Sequence, residues 1–237
     1  LDVISVYSCG IASILDLKHD RILICFEDGM IGVFDMRIRH FIFQNLGGHI
    51  NTIFSIQFYP TNPDVFVTAG GEGVICTWNA STMRRIDRLV PQDPITGLFS
   101  MDVSLGGGMI CCGYKEGRIA FFSLQTKTKI NDITLTNKRI VSVKFSIFEP
   151  EQLIVSSDDG FCAVYDVQRN QILWQPNLQL TPNIGFFSIH NKGQILVTCH
   201  NGSVLIYNSI QSTEPDLVLE DPMKSDLYFL AFSPFDK

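Results

Sequence analysis

The stretch VFVTAGGEGVICTWN, residues 65–79, decides the fold. Val65–Ala69 is a run of β-formers ending on a small side chain. Glu72-Gly73 follows, and Val74–Trp78 is apolar again before Asn79. Two short apolar runs parted by an acid and a glycine read as a hairpin, with Gly supplying the positive φ of its turn. The pattern is a polar residue, Gly, four residues, an aromatic, then Asp, Asn or Ser. It recurs at Asp28-Gly29…Phe34-Asp35, Glu116-Gly117…Phe122-Ser123, Asp159-Gly160…Tyr165-Asp166 and Asn201-Gly202…Tyr207-Asn208. The five glycines stand 42–44 residues apart, a period of architectures that repeat one supersecondary unit.

Working outward, each repeat predicts four strands. The first runs are Ile11–Leu17, Ile53–Tyr59, Ile95–Val103, Ile140–Ile147 and Ile184–His190. Second runs lead to the glycine: Ile22–Phe26, Val65–Ala69, Met109–Gly113, Leu153–Ser157 and Ile195–Cys199. The third strand follows the turn at once, as in Val74–Trp78 and Cys162–Tyr165. More polar fourth runs are His40–Gln44, Arg85–Leu89, Ile130–Leu135 and Ile172–Gln175. Three residues after the turn glycine, small residues dominate (Gly32, Cys76, Ala120 and Ala163, then Leu205), which suits sheets packed face to face. No long apolar stretch of helical period interrupts the pattern. The fold class expected is all-β, a β-propeller of four-stranded antiparallel blades.

Composition agrees. The 237 residues are 46% hydrophobic and 18% charged, with 18 Phe and a net charge of −6, which suits a packed core and excludes a disordered chain. The acidic balance argues against wholesale nucleic-acid binding. No apolar run nears the ~18 residues of a membrane span, and no leader is visible. The seven Cys form no CxxC pair and mostly lie in apolar alternating runs, where reduced Cys acts as a small hydrophobe. The compartment expected is intracellular, cytoplasmic or nuclear. Two N-x-Ser sequons, at Asn79 and Asn201, fall at a strand end and in a tight turn and are read as chance.

These residues resemble the WD-repeat β-propeller family, whose blades end in Trp-Asp and often begin with Gly-His. Repeat two carries the fuller signature, Gly48-His49 and then Trp78-Asn79. The resemblance implies a buried hydrogen-bond relay of His49, Thr68, Glu72 and Trp78, with Glu where the family has Asp. The other repeats have Ile24, Cys112, Val155 and Val197 at the Thr68 position, so apolar packing must hold them. In that family each blade's outer strand belongs to the neighbouring sequence repeat. On that register the chain is a single propeller with units at 1–39, 40–83, 84–127, 128–170, 171–213 and 214–237. Asp2–Tyr7 reads as a fourth strand, and Leu227–Phe232 as the first strand of a sixth unit. Five full blades and part of a sixth leave open sheet edges, so the intact protein is expected to be longer, with seven blades.

Chemistry is scarce. HExxH, GxSxG and P-loop motifs are absent. Gly106-Gly107-Gly108 reads as a hairpin turn, since no helix N-terminus follows it to hold phosphate. The five His are never in ligand spacing, and Asp158-Asp159 occupies the turn position of its repeat. No enzyme activity, metal, cofactor or small-molecule substrate is expected. Strand topology places Glu27, Asp28, Glu72, Glu116, Asp158, Asp159, Asp221 and Asp226 on one side of the blades. Arg37, Arg39, His40, Arg84, Arg85, Arg88, Lys127, Lys129 and Arg169 fall on the other. Such polarity either steers oppositely charged partners or reflects turn formers and solvated edges.

Two functions follow. One is a non-catalytic protein–protein interaction scaffold, a WD-repeat propeller subunit of a larger multiprotein complex. Its contacts lie on the face where such propellers bind: Asn51, Thr52, Asp93, Pro94, Lys138, Arg139, Asn183 and Asp226. The alternative is a propeller that binds acidic lipid headgroups or RNA through its basic face. Met83-Arg84-Arg85-Ile86 is similar to the Arg-Arg pair of phosphoinositide-binding propellers, but lacks that motif's preceding aromatic and following Gly.

Overall fold

The computed structural model describes residues 9–17, 20–43, 47–91, 97–146, 149–176, 184–189, 194–199, 202–221 and 223. They form five four-stranded antiparallel sheets. The first holds β1 (Ile11–Leu17), β2 (Arg21–Phe26), β3 (Ile31–Asp35) and β4 (His40–Phe43). The second holds β5 (Ile53–Tyr59), β6 (Asn62–Gly70), β7 (Ile75–Asn79) and β8 (Arg85–Leu89). In the third are β9 (Leu98–Val103), β10 (Met109–Tyr114), β11 (Arg118–Ser123) and β12 (Lys129–Thr134). The fourth comprises β13 (Ile140–Phe145), β14 (Gln152–Ser157), β15 (Cys162–Asp166) and β16 (Gln171–Trp174). The fifth comprises β17 (Ile184–Ile189), β18 (Ile195–Cys199), β19 (Ser203–Tyr207) and β20 (Leu217–Glu220). Strands follow in sequence order within every sheet, the up-and-down blade of the all-β propeller class. Among the described residues the only helix is a single 3-10 turn at Lys115–Gly117.

Sequence repeats and sheets divide the chain at different places. Cutting at 39/40 or 83/84 parts His40–Phe43 and Arg85–Leu89 from the strands they bond to, β3 and β7. The sheets span 11–43, 53–89, 98–134, 140–174 and 184–220. Further differences are local. β6 begins at Asn62, because Tyr59 and Asn62 close a tight turn. The Glu116-Gly117 turn is the 3-10 turn, with both residues left-handed (φ 64° and 70°). Leu217–Glu220 supplies a fourth strand to the fifth sheet that the sequence did not signal. Asp2–Tyr7 and Leu227–Phe232 lie outside the described residues.

The repeat motif is two turns in series. In the first, the glycine N–H bonds back to the carbonyl three residues earlier: Gly29 to Phe26 (3.2 Å), Gly73 to Gly70 (2.8 Å), Gly160 to Ser157 (3.2 Å) and Gly202 to Cys199 (3.1 Å). Each of these glycines has φ between 80° and 86°, which a side chain would strain. In the second, the residue after the aromatic caps the turn into the fourth strand. Asp35 Oδ1 accepts the N–H groups of Arg37 (2.9 Å) and Ile38 (3.3 Å). Asn79 Oδ1 accepts those of Ser81 (3.0 Å) and Thr82 (2.7 Å). Ser123 Oγ takes that of Thr126 and Asp166 Oδ1 that of Arg169. A short polar acceptor offers the backbone this local partner, hence Asp, Asn or Ser at the motif's end.

The chain divides into two compact units, 1–101 and 102–237. In the first unit, Leu23, Cys25, Ile31 and Val33 of the first sheet share a core with Ile53, Phe66, Cys76 and Trp78 of the second. In the second unit the fourth sheet is buried on both faces. Leu153, Val155 and Tyr165 pack with Cys111, Ile119 and Phe121 of the third sheet. The alternate residues Ile154, Cys162 and Val164 pack with Val197, Leu205 and Tyr207 of the fifth. Trp174, outside the repeat motif, donates its indole N–H to the Ser212 carbonyl (2.6 Å) and meets Tyr207 edge-on (5.1 Å).

Six of the seven cysteines are buried and all are free. Burial pushes the Cys25 thiol up to about 12 and the Cys76 thiol up to about 11, and raises Cys111, Cys112, Cys162 and Cys199 as well. Thiolate is the reactive form. Native protein at pH 8 should therefore release about one equivalent of thionitrobenzoate quickly, from Cys9, and the other six only on unfolding. Substituting Asn79→Ala, which removes the turn acceptor, should cost about 1 kcal/mol and lower Tm by about 2–4 °C.

Candidate functional site

The loop from Gly47 to Thr52 links the first two sheets and carries the most polar structure of the first unit. His49 lies at its centre, its side chain fully buried. Its Nε2 is 2.7 Å from Thr68 Oγ1 on β6, and its Nδ1 is 2.6 Å from Glu72 Oε1 in the turn after β6. Trp78 Nε1 on β7 donates to the same Thr68 oxygen (2.8 Å). An indole N–H only donates, so the Thr68 oxygen accepts from Trp78. A carboxylate only accepts, so His49 Nδ1–H donates to Glu72, and in that neutral tautomer Nε2 accepts the Thr68 O–H.

Glycines make the room. A Cβ on Gly70 would collide with the Glu72 carboxylate and His49 Nδ1. One on Gly48, whose φ is 121°, would stand 2.8 Å from the Trp78 ring. Phe66 stacks on the Trp78 indole, with ring centroids 6.0 Å apart. This arrangement is a structural anchor for the loop that begins the second sheet; all its groups but one carboxylate oxygen, Glu72 Oε2, are paired.

Anchoring carries outward to Asn51 and Thr52. The Thr52 hydroxyl donates to the Glu27 carbonyl (2.8 Å), and Asn51 Oδ1 accepts the Thr52 N–H (2.8 Å). Asn51 is exposed and Thr52 half-buried. In the second unit, Lys138 and Arg139 are exposed, and Arg139 makes a two-point contact with Asp158 (Nε 2.7 Å, Nη2 3.1 Å). Asp93, Pro94, Asn183 and Asp226 lie outside the described residues.

The basic residues are partly paired with carboxylates. Arg37 lies 3.7 Å from Asp20 and 4.0 Å from Asp35; Lys129 is 3.5 Å from Asp132, and Arg169 is 3.1 Å from Asp166. Arg39 and Lys127 occupy left-handed turn positions (φ 54° and 58°). Arg84, Arg85 and Arg88 are exposed at and just before β8.

Two features were not legible in the sequence. Asp102 accepts the Phe145 N–H (2.8 Å) and lies 3.5 Å from Lys144 Nζ. Burial raises its carboxyl, and Lys144 and that N–H offset only part of the rise. In the first unit, Phe54 and Phe99 meet with ring centroids 4.9 Å apart at 49°. No motif marks either feature, because each depends on side chains from different sheets.

No protein-family model matches the chain. Among curated proteins it is similar to DNA damage-binding protein 2 of Oryza sativa subsp. japonica, 22% identical over 210 residues, covering 81% of this chain and 35% of that protein. Dynein axonemal intermediate chain 4 of Mus musculus is 22% identical over 146 residues, 60% of this chain and 18% of that protein. Dynein axonemal assembly factor 10 of Danio rerio is 34% identical over 67 residues, 27% of this chain and 19% of that protein. The chain thus spans about a third or less of these relatives. The rice and mouse relatives are of the WD-repeat type.

Thr68→Val keeps shape and removes the central hydroxyl, leaving the Trp78 indole and His49 Nε2 without a partner. It should cost about 1–3 kcal/mol for each orphaned group, read as a fall in the urea midpoint, while Thr68→Ser should cost less than Thr68→Val. Acid should also destabilise the protein. Burial raises the carboxyls of Asp35, Asp132 and Asp159. The N–H groups of Arg37 and Ile38 (on Asp35), Arg118 and Lys129 (on Asp132) and the hydroxyls of Ser157 and Thr136 (on Asp159) outweigh it, so all three are held below the ordinary 3.8. Their stabilisation is complete above about pH 4 and lost as pH falls through the lowered values. Asp102 acts oppositely, one against three. Tm should drop steadily from pH 4 to pH 2.

Proposed function

We propose that this chain is part of a single WD-repeat-like propeller that acts as a non-catalytic scaffold for other proteins within a larger assembly. The observation that supports it is the repeated four-stranded sheet whose hairpin ends hold polar residues at exposed, pinned positions. Thr52 is tied to the Glu27 carbonyl in the turn of the neighbouring sheet and Asn51 to the Thr52 N–H, and Arg139 is tied to Asp158 beside exposed Lys138. Loops fixed this way lose little entropy when a partner docks. Names of relatives point the same way: an intermediate chain and an assembly factor of axonemal dynein, and a damage-binding protein. The contact set of this scaffold is Asn51, Thr52, Asp93, Pro94, Lys138, Arg139, Asn183 and Asp226, and its location is intracellular, to which the free thiols are suited.

The basic face supports the phosphate-binding alternative less well. Arg37, Lys129 and Arg169 already sit against carboxylates, which cancels much of the field an anion would meet.

Affinity purification of the whole protein from its own cells, washed at low and at high salt, tests this reading. A stoichiometric set of proteins that survives high salt is expected, since apolar contacts tolerate salt. Nucleic acid or lipid recovered at low salt and lost at high salt would shift the function to the basic side. Asn51→Ala combined with Lys138→Ala should weaken partner retention at unchanged Tm; loss of both together would refute those contacts.

A further inference from the structure

Several first strands carry a β-bulge one residue after they begin. It falls between Ile11 and Ser13 in β1, Ile53 and Ser55 in β5, Ile140 and Ser142 in β13, and Ile184 and Phe186 in β17. A bulge leaves its extra residue out of the ladder and re-aims its side chain. The residues so placed in the first, second and fourth sheets are Ala12, Phe54 and Val141. Phe99 stands second in β9 as Phe54 does in β5, and the two rings meet. In the second sheet the bulge therefore turns outward a large ring that remains 38% exposed.

The ground beneath it is backbone. Gly71 donates to the Thr52 carbonyl (2.8 Å), and its own carbonyl accepts the Gly97 N–H (2.9 Å). A Cβ on Gly71 would stand 3.0 Å from Phe54 Cε2 and 3.5 Å from Asn51 Cγ. Glycine thus keeps the floor low between the ring and the Asn51 amide. Ile50, 86% exposed, lies on the loop that leads into β5. Next to it the turn of the first sheet presents Glu27 and Asp28, both exposed. That turn is fixed by the Thr52 hydroxyl on the Glu27 carbonyl, and Asn51 and His49 carbonyls crowd the place a Gly29 side chain would take. A half-exposed Phe54 ring backed by the half-buried Phe99, on a rigid floor with Glu27 and Asp28 on the adjoining turn, is the makeup of an interaction patch.

We propose that this patch docks an extended segment of a partner protein. The segment places an aliphatic or aromatic side chain on Phe54 and Phe99, and a lysine or arginine beside Glu27 and Asp28. The acidic rim selects the sign of the flanking charge, and the rings supply the apolar anchor. The proposal rests on the scaffold reading and assigns its contact chemistry in the first unit.

The test is selection of a random nonapeptide display library on the whole protein, followed by anisotropy titration of the selected peptides. Recovered sequences should pair an aliphatic or aromatic residue with a Lys or Arg within four positions. Phe54→Ala should weaken them at least tenfold, and Glu27→Gln with Asp28→Asn several-fold. Ile50→Ser, at a side chain free to change without disturbing the fold, should weaken them as well and serves if Phe54→Ala lowers Tm. Failure to select any peptide, acidic consensus sequences, or equal binding to the Phe54→Ala and Ile50→Ser proteins would overturn the proposal. Native partners still retained by both variants in cells would overturn this surface while leaving the scaffold reading intact. Selected peptides without any native partner would do the reverse.

Discussion

A four-stranded sheet with two apolar faces cannot bury itself. All five residues of β15 are buried, although successive side chains point to opposite faces. Tyr165 is covered by the third sheet and Val164 by the fifth. Such a sheet is stable only between neighbours, and each fully buried aliphatic or aromatic side chain contributes about 1.5–3 kcal/mol. This requirement explains why the unit repeats and why the central strands read as unbroken apolar runs. Within the first sheet, Gly32 leaves room for a ring of the adjacent strand: a Cβ there would stand 2.7 Å from Phe41.

The polar relay is an addition to that framework. It occurs where His49, Thr68, Glu72 and Trp78 coincide, and Gly70 and Gly48 must lack side chains for it to close. Its groups are costly if unpaired and contribute modestly when paired, so its value lies in fixing one loop. The fixed loop holds Asn51 and Thr52 against the turn of the first sheet, beside the bulge that exposes Phe54. Packing thus positions the sheet, hydrogen bonds position the loop, and the loop presents the surface.

Reading the sequence located strands wherever apolar pattern and turn residues coincide. Ile11–Leu17, Ile53–Tyr59, Arg85–Leu89 and Ile195–Cys199 have the bounds expected of them. β20 escaped because Leu217–Glu220 is short, exposed throughout, and shows no alternation of apolar and polar residues. The fourth strands also show that a sequence period need not coincide with a hydrogen-bonded sheet. The period counts turns, whereas the ladder follows whichever strand lies alongside. What stayed hidden depended on contacts between sheets: Asp102 with Lys144, Phe54 with Phe99, and the carboxylates that pair with Arg37 and Arg169. The turn cap at Asp35, Asn79, Ser123 and Asp166 was visible as a pattern, and its cause became clear only with the N–H groups it accepts.

Residue-resolved hydrogen–deuterium exchange on the native chain would test most directly whether face-to-face sheet packing carries the stability and leaves the loops available. The account predicts strong protection in the second and third strands, β2, β3, β6, β7, β10, β11, β14 and β15. Exchange should be faster in β8, β12 and β20, and in the loop from Ile50 to Thr52, whose residues are exposed or half-buried. Equal protection across all four strands of each sheet, or rapid exchange in β14 and β15, would contradict it.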